Sequence, residues 1–175
     1  MQARLSLKGR AFQLLAQRDQ SRVELRRKLL RHTRGDAPES SADEDGDGEN
    51  KEEAVEALLD WLEAHRYLSV ERFVEARVHA RESRFGNLRI KSELAQHGVA
   101  LSAVATRALA ETELRRAANV RERRFSRPPG DASERAAQSR FLAARGFSSE
   151  VIHRLMRQVG TVPTETGESG TNGRN

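Results

Sequence analysis

The sequence predicts an all-α protein made of three tandem three-helix repeats. Three observations carry that expectation. Apolar residues recur at helical spacing from end to end, no strand-like alternation persists, and one pattern of leucines and glycines returns with a period close to 48 residues.

Leu7, Ala11, Leu14 and Leu15 form a first apolar face that ends near Asp19. Ser21-Arg22-Val23-Glu24 reads as a capping box, in which the Ser hydroxyl accepts from the Glu amide and the Glu carboxylate reaches back to the Ser amide. The helix it opens turns Leu25 and Leu29 inward. Residues 36–53 interrupt the pattern with Gly, Ser and acids and almost nothing to bury, the composition of a disordered loop. Val55, Leu58, Leu59 and Leu62 then make an i, i+3, i+4, i+7 stripe flanked by Trp61. Ser69 is placed to cap a helix faced by Phe73, Ala76 and Ala80. Gly86 sets a turn into a helix with Ile90 and Leu94 inside and Gly98 as its stop.

Ser102 opens a helix carrying Val104, Ala105, Ala108 and Leu109, able to continue through Leu114, Ala117, Ala118, Arg121 and Phe125. Pro128 and Pro129 end it because they offer no amide hydrogen. Asp131 to Glu134 starts another helix, faced by Ala137, Phe141 and Ala144 and ended by Gly146. Ser148 or Ser149 opens the last, with Val151, Ile152, Leu155, Met156 and Val159. The count is about nine short helices.

The repeat aligns Leu94 with Leu142, Gly98 with Gly146, Val99 with Phe147, Val104 with Ile152 and Ala108 with Met156, all at an offset of 48. Leu25 and Leu29 match Ile90 and Leu94, and His32 matches His97, at an offset of 65 that falls to 47 once the 18-residue acidic segment is removed. The expected organisation is residues 1–68 as the first repeat, with residues 36–53 as an acidic insertion, 69–110 as the second, 111–159 as the third, and 160–175 as a disordered tail. Each unit is too small for a secure core by itself, so the three are expected to stack.

Composition narrows the function. There is no cysteine, which removes disulfides, zinc–thiolate sites and thiol chemistry. No apolar run approaches the roughly 20 residues that span a bilayer, and the N-terminus has no signal-peptide core, so a soluble cytoplasmic protein is expected. The five histidines form no i, i+4 pair, and the isolated Gly86 and Gly98 make no phosphate loop. Neither a metal nor any other cofactor is expected, and no carboxylate pair sits in an apolar context suited to acid–base catalysis. Trp61 and Tyr67, with apolar neighbours, suit a core or repeat interface better than a base-stacking platform.

The formal charge of +5 understates the basicity, because residues 36–53 hold nine acids against Lys51 and the remainder of the chain carries +13. Arg27, Arg31 and Arg34 make one stripe. Arg84, Arg89 and Lys91 form a second cluster, Arg121, Arg123 and Arg124 a third, and Arg140, Arg145, Arg154 and Arg157 mark the last unit. Together they read as a discontinuous basic track for phosphates or acidic side chains, against the plainer reading of solvated helix faces with local ion pairs. The acidic segment reads as a simple tether or as a nucleic-acid mimic that folds back on this track.

Four stretches, LLAQRDQSRVELRRKLLRH, RYLSVERFVEARVHAR, FGNLRIKSELAQHGV and ERAAQSRFLAARGFSSEVIHRLM, taken in that order, resemble the RecX family of RecA regulators over roughly residues 7–158. The resemblance implies three three-helix repeats in an elongated, curved stack and no enzyme activity. It implies a partner in the RecA filament, with inhibition of strand exchange and filament growth, and for some members direct DNA binding. A monomer is expected. The chain departs from the family pattern in its acidic insertion and at Ser69-Val70, where paired acids are common. The basic residues above are then the candidates for RecA or DNA contact. A helix-turn-helix DNA-binding transcriptional regulator and an adaptor that binds only protein are the rival readings.

Overall fold

A computed structural model describes residues 5–34 and 47–160, and among these every regular element is a helix. They are α1 (Leu7–Gln17), α2 (Arg22–Arg34), α3 (Asp47–Ala64), α4 (Val70–Glu82), α5 (Asn87–Gln96), α6 (Ala103–Glu122), α7 (Ala132–Ala144) and α8 (Ser149–Val159). No described helix is long and apolar enough to cross a membrane.

The apolar faces assemble three separate cores. Leu14, Leu25, Leu29, Val55, Leu59 and Leu62 build the first from α1, α2 and α3. Phe73, Ile90, Leu94 and Leu109 build the second from α4, α5 and the start of α6. Ala117, Val120, Leu142, Ile152, Leu155 and Met156 build the third from the end of α6, α7 and α8. The helix count is eight among the described residues rather than about nine, because α6 serves two cores without a break. Its Leu109 faces the second core and its Ala117 and Val120 the third.

Hydroxyl and carboxylate caps set most helix starts. Ser6, Ser69, Ser102 and Ser148 accept from the amides of Gly9, Arg72, Ala105 and Val151, and Asp131 accepts from that of Glu134. Gly98 and Gly146 sit at φ +69° and +78°, the left-handed conformation that closes α5 and α7.

Five further expectations change. The first half of the capping box is present, with the Glu24 amide donating to Ser21 Oγ at 3.1 Å. The Glu24 carboxylate instead takes Arg18 and Lys28, two full charges that outbid a backbone amide. Residues 47–53 of the expected acidic loop are the first turns of α3. Acids there favour the helix N-terminus, and Glu52 also pairs with Arg26 at 3.2 Å. Residues 36–46, like 161–175, lie outside the described residues. On α4 the inner residues are Phe73, Val74 and Val78 rather than Ala76 and Ala80, since valines bury more apolar area. Val104 is 80 % exposed, and Val99 and Leu101 of the preceding loop pack on the second core. On α7, Ala137 and Ala144 are exposed while Gln138 and Leu142 are buried.

Candidate functional site

The second and third units meet where the α4–α5 turn lies against the α7–α8 turn. Gly86 N donates to Arg145 O at 2.9 Å and Leu88 N to Gly146 O at 3.0 Å. This approach needs glycine on both sides. A Cβ at Gly86 would lie 2.2 Å from the Gly146 carbonyl oxygen, and one at Gly146 would lie 2.6 Å from Arg89 N.

A buried polar node ties the same turn to α6. The Arg116 guanidinium donates to the carbonyls of Phe85 (2.9 Å), Leu109 (3.1 Å) and Glu82 (3.2 Å) and to the Asn87 side chain. Glu113 in turn accepts from the Asn87 amide at 3.0 Å. Burial lowers the pKa of Arg116, against the pull of Glu113 and Glu82. The turn is thus held in place by backbone-directed donors as well as by the packing of Phe85 on the second core.

That construction sets a groove along the second half of α6. Its centre is a cavity of about 370 Å³ where Arg84, Arg123, Arg124 and Arg145 surround Phe85 and Phe141. It continues past Arg115 on one side and past Phe125 and Arg127 on the other. Among the described residues none of those four central arginines has a carboxylate within ion-pair distance, and no acid lines the central cavity. Instead three of them lie over aromatic rings, and Arg123 donates to the Ser83 carbonyl at 3.4 Å. Arg145 lies 3.9 Å from the Phe141 centroid, Arg124 5.5 Å from Phe125, and Arg84 5.9 Å from Phe85. Stacking pre-orders a guanidinium while leaving its in-plane donors free for an anion.

The structure therefore gathers Arg84, Arg123, Arg124 and Arg145, which the sequence had placed in three clusters. Arg89 borders them, 4.9 Å from the Phe85 ring, but shares Glu93. Arg121 is a correction. It is 5 % exposed and donates to Gln138 Oε1 at 2.7 Å and Arg127 O at 2.6 Å, so it braces the interior. Its place on the face with Leu114, Ala117 and Ala118 was the sequence signal for that role. Arg27 and Arg31 are exposed on α2, Lys91 on α5, Arg140 on α7, and Arg154 and Arg157 on α8, outside the groove. The Arg34 side chain lies outside the described residues. Sequence reasoning missed Phe85 and Phe141, whose role depends on which arginines fold over them.

The first unit carries a different polar surface. Arg22 pairs with Glu56, Asp60 and Glu63 of α3 at 2.7–2.8 Å, and Arg26 pairs with Glu52 and Glu56. Burial alone would raise the pKa of Glu24, but hydrogen bonds from Arg18 and Lys28 prevail and hold it at about 2. Trp61 lies between His65, Tyr67 and Lys8, whose ammonium is 3.6 Å from its ring, so its faces are occupied. Among the described residues no group of three or more His, Asp or Glu could hold a metal ion.

Fold and site together define a helical-repeat protein of three-helix units with an arginine groove at the second junction. Residues 111–156 match the RecX third three-helix domain. The regulatory protein RecX of Ralstonia nicotianae is 47 % identical over 156 residues, covering 87 % of each chain, and that of Herbaspirillum seropedicae is 46 % identical over 156 residues, covering 88 % of each. This chain belongs to the RecX family of regulatory proteins. Its fold is similar to that of a RecX crystal structure from Lactobacillus salivarius, with a TM-score of 0.62 at 16 % identity over 89 % of this chain and 96 % of the other.

Proposed function

We propose that this protein is a non-enzymatic regulator that binds the RecA filament and inhibits its ATPase, strand-exchange and recombinase activity, acting in the cytoplasm as a monomer. The observation that carries the reading is the α6 groove, where four guanidinium groups, three of them over aromatic rings, stand without carboxylates among the described residues. Such a groove suits an anionic ridge, either acidic side chains of the recombinase or the phosphates of the DNA it coats. The family resemblance implies the recombinase as the partner, and the groove's chemistry supports that reading. A regulator of this kind need only bind one filament state better than another to shift filament growth or disassembly.

The test is RecA's DNA-dependent ATPase with the purified chain added. Inhibition well below one regulator per RecA is expected. Combined replacement of Arg84, Arg123, Arg124 and Arg145 by Ala should weaken inhibition by roughly 10- to 100-fold, the effect of losing one or two charge-assisted pairs. Arg154→Ala with Arg157→Ala should leave it within about threefold, since rim charges contribute little. Full inhibition by the fourfold variant moves the interface elsewhere. No effect on RecA, with tight binding to one duplex sequence, replaces the reading by a DNA-binding regulator.

A further inference from the structure

Beside the groove, α4, α5 and the end of α7 enclose a second cavity of about 530 Å³. Arg77, Arg81, Arg89, Glu93 and His97 bring charge and hydrogen-bonding groups to it. Ala143, Ala144 and Gly146 form a wall with almost no side-chain bulk.

Its charges do not balance. Glu93 is shared, accepting from Arg81 Nε at 2.9 Å and from Arg89 Nε at 3.3 Å. Arg77 has no carboxylate among the described residues. One of its terminal nitrogens donates to His97 Nε2, and its Nε is buried with no hydrogen-bond partner. A guanidinium has five donors and no acceptor, so His97 Nε2 must offer its lone pair, and the imidazole is neutral here. Arg77 is thus a cation backed by Phe73, 5.8 Å from its ring, with a neutral ring in place of a counter-charge.

We propose that this cavity is a docking pocket for one carboxylate side chain, Asp or Glu, of a partner protein, received by Arg77. The forked donors of a guanidinium match two carboxylate oxygens. The small-residue wall leaves room for the methylene stem. Glu93 shows that a carboxylate fits among these arginines, and its charge opposes the string of neighbouring phosphates that a nucleic acid would bring. The pocket lies outside the α6 groove, and its chemistry does not depend on the partner being RecA.

His97 reports occupancy. It faces Arg77 and the Phe73 ring of α4, Glu24 and Arg27 of α2, and Arg18. Burial and then Arg77 lower its pKa, with Arg18 and Arg27 in the same direction and Glu24 opposing. A carboxylate seated on Arg77 joins Glu24 and moves the imidazole titration to higher pH.

The full chain at low salt is titrated with the capped tripeptide Gly-Glu-Gly, with Gly-Gln-Gly, with inorganic phosphate and with oligothymidylate, following the His97 ring protons by NMR; assignment uses His97→Gln. A saturable shift with a millimolar midpoint and a raised His97 pKa is expected from the Glu peptide alone. Arg77→Met should abolish it. Arg77→Lys, which keeps the charge but loses the fork, should weaken it several-fold, with circular dichroism unchanged in both. An equal shift from the Gln peptide, an unchanged shift in Arg77→Met, or no saturable shift overturns the proposal. A response to oligothymidylate or phosphate instead of the Glu peptide overturns it in favour of a phosphate site. None of these readouts contains RecA, so failure here and failure of filament inhibition are separable.

Discussion

The two junctions between units use the same positions of the repeat and reach opposite results. At the second junction, Gly86 and Leu88 meet Arg145 and Gly146 through two backbone hydrogen bonds. An offset of 65 places Ser21 and Val23 at the matching positions of the first unit, and an offset of 48 places His97 and Gly98 opposite them. There Val23 does approach Gly98, close enough that a Cβ on Gly98 would lie 2.9 Å from its methyl. The described contacts across this first junction are made by side chains, such as Arg72 donating to Asp19 at 3.2 Å. The chain also turns sharply here, with Arg66 at φ +59°. One continuous helix, two ladder-like bonds and the buried Arg116 node weld units two and three. A turn and exposed polar contacts join units one and two. The contrast shows that a repeat can keep its docking geometry while one residue, Gly86 against Ser21, decides whether backbones touch.

The contrast can be broken at its strong end first. Gly146→Ala forces both a left-handed alanine and a backbone clash, and should cost about 4 kcal/mol. Gly86→Ala meets the same backbone and should cost nearly as much. Because Trp61 is the single tryptophan and belongs to the first unit, its fluorescence should report a nearly unchanged melt while circular dichroism shows early loss of the rest. Arg116→Met leaves the Asn87 side chain and three carbonyls short of a donor and takes a neighbouring cation from Glu113, and should cost about 3 kcal/mol by urea denaturation.

Acid tests the first unit. Glu24 titrates at about 2 in the fold against its ordinary 4.5, so its stabilisation is complete above about pH 4.5 and is lost as pH falls toward 2. The Trp61 transition should weaken over that window by about 2 kcal/mol, and Glu24→Gln should remove the share of Glu24 while leaving that of Glu56, which Arg26 and Arg22 also hold below its ordinary value. Gly98→Ala pays the left-handed penalty but meets only a movable Val23 methyl, so a loss of about 1–2 kcal/mol is expected, clearly below that of Gly146→Ala. Equal losses at the two glycines would erase the distinction between weld and joint. Arg72→Ala, at an exposed pair, should cost less than about 1 kcal/mol while widening the spread of first-unit orientations seen by residual dipolar couplings.

Much of the molecule was legible in the chain because the signals are local. Serine and aspartate before apolar periodicity located the helix starts, and Gly98 and Gly146 located two stops. The errors over which alanines face inward have one cause. Alanine marks a helix but does not say which side faces inward, so Ala76, Ala137 and Ala144 were assigned to cores that Val74, Val78 and Gln138 occupy. Arg121 was read by its neighbours Arg123 and Arg124 rather than by its helical angle, which places it with Ala117. The acidic run ending at Glu53 was read as loop because its charges exceed its apolar residues, whereas partners on α2 settle its last turns as helix.

Periodicity, caps and the 48-residue repeat determined the all-helical class and the three units, since each depends on residues within a turn or two of one another or on a pattern that recurs, and four ordered stretches of sequence carried the family resemblance. Tertiary structure decided the rest: that α6 runs unbroken through two cores, that Gly86 and Gly146 touch, that Arg121 and Arg116 are internal while Arg84, Arg123, Arg124 and Arg145 converge, and that Arg77 stands without a counter-charge among the described residues. These depend on the angle at which units dock. That angle is set by the approach of two backbones from residues 60 apart, which no local pattern encodes.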